Sequence, residues 1–324
     1  MTLTLLGILF LALAAFTYIS YRHDLSRARR RVTSGSHLVN TANGPIEYAD
    51  VGRGLPVLAI HGAGGGFDQG LEIVQPLIDR GFRVIAVSRF GYLRTPLPAD
   101  ASPLAQADEY AALLDALKLD QVAVIGGSAG APSAMQLCLR YPEKCSALVL
   151  LFPLAFAPSP AQTGQTNDSA RLAGQPSPLF KLVIKTALHS DLLFWLATKL
   201  ARNVLIKTVL GTPVEDFRTA SSEEQERALQ IMRHILPISQ RENGIWNDTM
   251  IGSSLPRYDL EKMRAPTLLI AAEDDLYGTF PGARYTSDHI PGARYVGFQT
   301  GGHLLLGHWM EVNAEVARFL SEHH

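Results

Sequence analysis

Short apolar runs alternate along this chain with longer segments in which apolar residues recur every three or four positions. The runs are rich in β-branched and aliphatic residues, which is typical of strands buried on both faces of a sheet. Segment 103–119 has the helical spacing. This alternation predicts the α/β class, with a mostly parallel, doubly wound sheet covered by helices on both faces. An antiparallel hairpin is expected before it, from 36–41 and 44–52, turning at Asn43-Gly44. The predicted strands of the main sheet are residues 56–62, 82–88, 121–127, 147–153, 266–272 and 293–299.

The spacing between strands breaks once, between the fourth and fifth strands of the main sheet. More than a hundred residues separate them, whereas a crossover between parallel strands needs only about a dozen. Segments 178–211 and 221–236 in this interval have helical spacing. We therefore expect a helical cap at residues 155–255, inserted into a core formed by residues 32–154 and 256–324.

The first 31 residues form a separate unit. Residues 3–21 carry no charge, and this length is enough for a helix that crosses a hydrocarbon layer of about 30 Å. Five arginines and one acid, Asp24, follow within residues 22–31. We predict a transmembrane helix at residues 3–21 with the catalytic part of the chain in the cytoplasm, because arginines flank a span on its inner side. A cleaved signal peptide, with a weak cleavage site at 12–14, is the alternative.

The charge and cysteine content of the chain limit the kinds of ligand and partner that we expect it to bind. The 324 residues have a formal net charge of −1, which gives no overall attraction to nucleic acid. The two cysteines, Cys138 and Cys145, are too few for a disulfide framework or a zinc site. We expect a small-molecule substrate, no metal and no cofactor. The sequence does not indicate an oligomeric state.

Ser128 has an unusual setting. It follows the β-branched run 122–125, small residues flank it on both sides, and a helical segment comes next. The order strand, G-x-S-x-G, helix is that of a nucleophile elbow, in which a strained turn lifts the serine oxygen above the sheet. The G-K-[ST] sequence of a phosphate-binding loop is missing. We therefore predict that Ser128 is a catalytic nucleophile.

A serine nucleophile needs a base, and the base needs a carboxylate that orients it. His303 follows the last predicted strand and a Gly-Gly turn, whereas His308 begins the final helix. We therefore predict His303 as the base. The strand after the elbow strand ends without an acid, so we expect the carboxylate among Glu273, Asp274 and Asp275 at the end of the next strand.

Over residues 34–324 the sequence resembles the α/β-hydrolase family, in which the triad follows the order serine, acid, histidine. The family's G-x-x-D pattern here reads Ala272-Glu273-Asp274-Asp275. The resemblance favours Asp275 as the acid, although the change from glycine to alanine leaves Asp274 open.

The resemblance also implies an oxyanion hole. The sequence HGAGGG at 61–66 is similar to the family's HG-x loop. The implied donors are the backbone N–H groups of Ala129 and Ala63, with that of Gly64 as the alternative. SRFGYLRTP at 88–96 departs from the family's D-x-P-G-x-G-x-S in a loop that shapes the pocket, so the resemblance says less about substrate.

The expected activity is that of a serine hydrolase that cleaves an acyl ester or lactone through an acyl-enzyme. Amidase or aminopeptidase-like activity and carbon–carbon bond hydrolysis on the same triad remain open, and a non-catalytic ligand-binding protein is the alternative of another class. A serine nucleophile argues against the epoxide hydrolase and haloalkane dehalogenase branches, which use aspartate.

The first half of the insertion suggests how substrate reaches the site. Its bases interleave with apolar residues, as on a helix at an anionic interface. We expect a lid that favours apolar acyl groups and faces the bilayer, with ordinary packing against the core as the alternative. The bases are Arg171, Lys181, Lys185, Lys199, Arg202 and Lys207.

Overall fold

The computed structural model describes residues 2–158 and 189–323. The chain begins with a long helix and an antiparallel strand pair, and then alternates strands with helices. These elements are α1 (Thr2–Thr33), β1 (His37–Thr41), β2 (Gly44–Val51), β3 (Pro56–Ile60), α2 (Phe67–Asp79), β4 (Arg83–Val87), α3 (Pro103–Ala116), β5 (Val122–Gly127), α4 (Ala131–Arg140) and β6 (Cys145–Leu151).

The remaining described part contributes short helices before it returns to the sheet. These elements are α5 (Asp191–Leu200), α6 (Arg202–Thr208), α7 (Val214–Thr219), α8 (Ser222–His234), α9 (Glu242–Ser253), β7 (Thr267–Ala272), α10 (Phe280–His289), β8 (Arg294–Phe298) and α11 (Trp309–Glu322).

The eight strands form one sheet in the order β1-β2-β4-β3-β5-β6-β7-β8. Strand β2 runs antiparallel to β1 and β4, and the neighbours from β4 to β8 are parallel. Alternate residues of a strand point to opposite faces, so in β5 Val122 and Val124 pack with α3 and α4, and Ala123 and Ile125 pack with α2 and α11. Both faces are therefore covered, and the predicted fold class is confirmed.

Each predicted strand overlaps an observed one. The hairpin forms, but Thr41 pairs with Gly44, so the turn is Ala42-Asn43, one residue earlier than predicted. The predicted helix 178–211 is observed in part: helices α5 and α6 lie within it and are separated at Ala201. Residues 178–188, and with them Lys181 and Lys185, lie outside the described residues, as does Arg171.

The inserted helices α5–α9 lie between β6 and β7 in the chain and form two small apolar clusters. One brings α6, α7 and α8 against Leu304 and Leu306 in the loop after β8. The other brings Phe194 and Trp195 of α5 against Ala28 of α1. The domain boundaries at 155 and 255 stay a prediction.

Helix α1 has two halves with different surroundings. Its N-terminal part is apolar and exposed, and of the described helices only α1 is long and apolar enough to cross a membrane. Its C-terminal part is packed on the body through Leu25, Ala28 and Val32, which are buried. The boundary predicted after residue 31 thus falls inside a helix, two residues before it ends.

A cluster of three charged side chains joins α1 to the body. Asp68, in the first turn of α2, accepts hydrogen bonds from Arg31 Nε at 3.0 Å and from Arg241 Nη2 at 2.8 Å. Arg31 also donates to the backbone oxygens of His234 and Leu236. Although burial alone raises the pKa of Asp68, the two guanidinium groups hold it well below its usual range. One carboxylate therefore connects the N-terminal helix, the core and the cap.

Candidate active site

Ser128 lies on a sharp turn between β5 and α4. Its φ is +49°, in a left-handed region that side chains rarely adopt. The turn requires small neighbours: a Cβ at Gly126 would lie 2.7 Å from the Cβ of Ala134, and a Cβ at Gly130 would lie 2.5 Å from the backbone oxygen of His61. These contacts explain why the residues on both sides of Ser128 lack bulk.

Three side chains form a hydrogen-bonded chain at this turn. His303 Nε2 lies 2.9 Å from Ser128 Oγ, and His303 Nδ1 lies 2.8 Å from Asp275 Oδ2. His303 and Asp275 are buried, and Ser128 is half-buried. The geometry fits the tautomer in which Nδ1–H donates to Asp275 and Nε2 accepts from the Ser128 hydroxyl. The structure thus brings the three predicted residues together in the order that proton transfer requires.

The acids of the 273–275 cluster have different surroundings. Asp275 accepts hydrogen bonds from the backbone N–H of Tyr277 at 2.8 Å, from the Thr279 hydroxyl and from His303. Asp274 accepts hydrogen bonds from the backbone instead, and Glu273 is exposed. Of the alternatives left open by the sequence, Asp275 is the one that contacts the imidazole.

Asp274 and Asp216 of α7 meet at the loop that carries His303. The Gly301 N–H donates to Asp216 at 2.9 Å and to Asp274 at 3.2 Å, and the Gly302 N–H donates to Asp274 at 2.8 Å. Burial and the neighbouring Asp216 carboxyl raise the pKa of Asp274 to about 6. The two acids therefore join the cap to the histidine loop most favourably when they share a proton.

Aromatic rings and the cap hold His303 in place. The ring centroids of Phe152 and Tyr277 lie 4.7 Å and 4.8 Å from that of the imidazole. The backbone N–H of His303 donates to the backbone oxygen of Gly211, a residue that follows α6. His308, the alternative base, stacks on Phe298 with centroids 4.1 Å apart and lies at the start of α11.

Ala63 and Gly64, the two alternative oxyanion donors in the loop after β3, differ in the hydrogen bonding of their backbone N–H groups. The N–H of Gly64 lies 3.3 Å from the Tyr92 hydroxyl and donates to it. The N–H of Ala63 has no hydrogen-bond partner among the described residues, and Ala63 lines the same cavity as Ser128 and His303. Ala63 is therefore better placed than Gly64 to donate to an oxyanion, and its role stays a prediction.

Beneath this site lies a buried network that the sequence did not predict. Arg89 donates to the backbone oxygen of Ala129 and to Asp248 of α9, and the Tyr92 hydroxyl also donates to Asp248. Burial raises the pKa of Asp248, and Arg89 acts in the opposite direction. Through Arg89 and Tyr92, one cap carboxylate is thus connected to backbone groups of Ala129 and Gly64. The sequence shows only an arginine and a tyrosine in the loop after β4, and these do not indicate a partner that lies 159 and 156 residues away.

The cavity at Ser128 is mostly apolar. The cap contributes Val209, Leu210, Ile231 and Ile235. Arg227 also lines the cavity; it donates to Glu224 and to the backbone oxygen of Leu304 and stacks over Trp309. Within the described residues no group of three or more His, Cys, Asp or Glu side chains is arranged to hold a metal ion.

Comparison with known proteins gives consistent similarities. A family model described as alpha/beta hydrolase fold matches residues 56–307. The uncharacterized hydrolase YcgS of Bacillus subtilis (strain 168) is 23% identical over 267 residues, which cover 81% of this chain and 89% of that protein. The 2-hydroxymuconate semialdehyde hydrolase of Pseudomonas sp. (strain CF600) is 35% identical over 106 residues, or 32% of this chain and 38% of that protein.

Among solved structures, an alpha/beta hydrolase fold protein from Nakamurella multipartita superposes with a TM-score of 0.68 at 26% identity. The match covers 88% of this chain and 98% of that one.

Proposed function

Because this chain belongs to the α/β-hydrolase fold family, we propose that it is a serine hydrolase that cleaves an apolar acyl ester or lactone through an acyl-enzyme. The observation that carries the proposal is the hydrogen-bonded chain Ser128–His303–Asp275, with Ser128 on a strained turn beside an apolar cavity.

The triad geometry supports an acylation step. Ser128 Oγ forms a bond to the acyl carbon while its proton passes to His303 Nε2. The tetrahedral intermediate then expels the alkoxide, which takes the proton from Nε2 and leaves as the alcohol. Asp275 accepts the hydrogen bond from Nδ1–H throughout, and so keeps the lone pair of Nε2 directed at Ser128.

Deacylation repeats these steps with water. His303 Nε2 takes a proton from water as the water oxygen attacks the acyl carbon, and the Ser128–acyl bond breaks with return of a proton to Oγ. In both steps we assign the N–H groups of Ala63 and Ala129 to the oxyanion. One donor of this kind is worth about 3–4 kcal/mol in comparable sites.

The cavity disfavours a substrate that carries a carboxylate. Among the described residues that line it, Arg227 is the only arginine or lysine, and Glu224 already binds its guanidinium group. A carboxylate-bearing substrate would have to compete with Glu224 for that cation. Carbon–carbon bond hydrolysis is the second candidate, because one relative is named for 2-hydroxymuconate semialdehyde.

We assign three units to the chain: an anchor and basic flank at residues 1–31, a core at 32–154 and 256–324, and a cap at 155–255. The apolar half of α1 is exposed along residues 5–19, which supports a membrane anchor at residues 3–21. The arginines that follow favour a catalytic domain on the cytoplasmic side.

The test uses a fluorophosphonate probe, which labels an activated serine without requiring knowledge of the substrate. We expect labelling of the full-length protein in detergent and none of Ser128→Ala, with the thermal unfolding midpoints of the two proteins nearly equal. A p-nitrophenyl ester series of increasing acyl length, set against 2-hydroxymuconate semialdehyde, then separates the two substrate classes. A folded wild-type protein that resists the probe and hydrolyses neither class would instead support the non-catalytic binding protein.

A further inference from the structure

The direction in which α1 leaves the body is fixed by polar contacts. Asp24 accepts hydrogen bonds from Trp195 Nε1 at 2.9 Å and from Lys199 Nζ at 3.3 Å, both on α5. Arg31, about two turns further on, donates to Asp68. Two attachment points along one helix hold its axis relative to the cap and the core. The position of the apolar half of α1 therefore indicates where a bilayer would meet the protein.

Helix α5 lies beside the end of the apolar run. A crevice between the two helices is lined by Phe16, Ile19 and Ser20 on α1 and by Trp195 and Lys199 on α5. At a helical rise of 1.5 Å per residue, Phe16 lies roughly 8 Å from the end of the uncharged run at Tyr21. If residues 3–21 span a bilayer, as proposed above, the C-terminal end of α5 lies at the depth where lipid headgroups meet acyl chains.

The side of α5 that faces away from the body is apolar except for Lys199. Phe194, Trp195 and Thr198 are buried. Leu192 and Leu193 are exposed, and Leu200 is 82% exposed. In α6, which follows, Val204 is 59% exposed. An exposed apolar surface of this kind is unusual for a face in water and is expected for one that contacts lipid.

The charged and aromatic residues near the C-terminal end of α5 fit a bilayer interface. Arg202 and Lys207 are exposed on α6, and Lys199 on α5 is exposed beside its partner Asp24. The only acid of these two helices, Asp191, is buried and bonded to Ser239. Tyr21 and Trp195 pack edge to face with centroids 5.7 Å apart. Aromatic side chains at headgroup level and cations facing anionic lipid are typical of interfacial helices.

We propose that α5 and α6 form a second membrane-binding surface, which lies in the headgroup region of an anionic bilayer beside α1. Val209 and Leu210, which follow α6 directly, line the cavity at Ser128. If the proposed hydrolase function holds, the surface brings the cavity wall next to esters dissolved in the bilayer. Lipid binding by the surface does not depend on that function.

The test places an environment-sensitive fluorophore on the surface of the full-length protein. Leu200→Cys is labelled with the NBD group and compared with Met310→Cys, which is 84% exposed on α11. The native Cys138 and Cys145 are buried, so they do not compete for the label. Both proteins are placed in nanodiscs of phosphatidylcholine with phosphatidylglycerol, and a lipid with a spin label near the headgroup is the quencher.

We expect a blue-shifted emission and loss of most of the signal to the quencher at position 200, and neither at position 310. A water-like emission at position 200, or a blue shift without quenching by lipid, would overturn the proposal. The second result would mean that protein rather than lipid covers the leucines. Arg202→Gln together with Lys207→Gln should reduce the quenching, and more so in anionic than in neutral nanodiscs.

A separate arm tests the catalytic consequence. Leu200→Ser with Val204→Ser should slow hydrolysis of a long-chain ester held in the bilayer several-fold, with turnover of a short soluble ester unchanged. Equal turnover of the bilayer ester by wild type and variant would overturn the link to substrate access. If wild type hydrolyses neither ester, the proposed function fails, and the quenching experiment still decides whether the surface binds lipid.

Discussion

Substituting Asp275 with asparagine should slow the enzyme far more than the same change at its neighbour Asp274. Asp275 presents acceptor oxygens to three donors: Tyr277 N–H, the Thr279 hydroxyl and His303 Nδ1–H. Asparagine replaces one oxygen with an NH₂ group, which then faces either the Tyr277 N–H on Oδ1 or both the Thr279 hydroxyl and His303 Nδ1–H on Oδ2.

The less costly orientation keeps the amide oxygen on the Tyr277 N–H, because a backbone N–H can only donate. The amide nitrogen then points toward the Thr279 hydroxyl and His303, both of which can also accept a hydrogen bond. The imidazole must then accept at Nδ1 and carry its proton on Nε2, where it cannot take the proton of Ser128. Loss of this tautomer control costs about 10⁴ in rate, which corresponds to about 5.4 kcal/mol in the activation free energy.

The matched control is Asp274→Asn. Its amide oxygen can still accept from Gly302, and its NH₂ group can donate to Asp216, as the proton shared by the two acids does in the wild type below about pH 6. We expect nearly wild-type activity. The assay is the second-order rate constant of fluorophosphonate labelling, supported by kcat on a p-nitrophenyl ester. An Asp275→Asn rate within about tenfold of wild type, or an equal loss in both variants, would refute this account of the triad.

Three further predictions concern stability and positioning. Because the pKa of Asp274 is raised to about 6, stability from this group is present at low pH and is lost as the pH rises through about 6. The thermal midpoint of Asp274→Asn should therefore gain on that of wild type between pH 4 and 7, and a constant difference would contradict the shared proton. Asp68→Asn leaves a fully buried cap arginine without its carboxylate and should cost about 3–5 kcal/mol in unfolding free energy, more than Arg31→Gln in the same denaturant titration. Asp248→Asn removes the countercharge of Arg89, so we expect a similar loss of stability and a lower kcat, with KM changed less. An unchanged kcat would mean that the Arg89–Asp248 network does not position the backbone of Ala129 for catalysis.

The strands of the sheet could be predicted because each one is encoded by its own short stretch of sequence. Val122, Val124 and their neighbours form a continuous apolar run, and such a run in a βαβ pattern has few alternatives to a buried parallel strand. The pairing of Ser128 with His303 was also within reach, since both follow strands whose carboxyl ends lie at the same edge of the sheet.

The choice of acid required more than the local sequence. Asp274 and Asp275 are adjacent, and only the path of the backbone after β7 decides which carboxylate faces the imidazole. Family resemblance favoured Asp275, but the residues alone left both open.

Contacts between distant segments were not predictable. Nothing near Arg89 in the sequence indicates Asp248, and nothing near Arg31 indicates Asp68. The arginines after the apolar run are typical of a membrane flank, and that interpretation does not reveal that Arg31 is also a structural contact. Buried ion pairs of this kind depend on how the cap is placed on the core, which the local pattern does not encode.

The attachment of Arg31 has a consequence for biosynthesis. Its partners are Asp68 at the start of α2 and the backbone oxygens of His234 and Leu236 in the cap, and Asp68 is shared with Arg241. A ribosome adds about 5–20 residues per second, so roughly 10–40 s pass between synthesis of Arg31 and synthesis of Arg241. If α1 is the membrane anchor proposed above, the arginine flank is free of the cap during that interval and can act on the translocation machinery as a topology signal. The same side chain would thus act first in choosing the side of the membrane, and then, once the cap has been made, in locking the finished domain to its anchor.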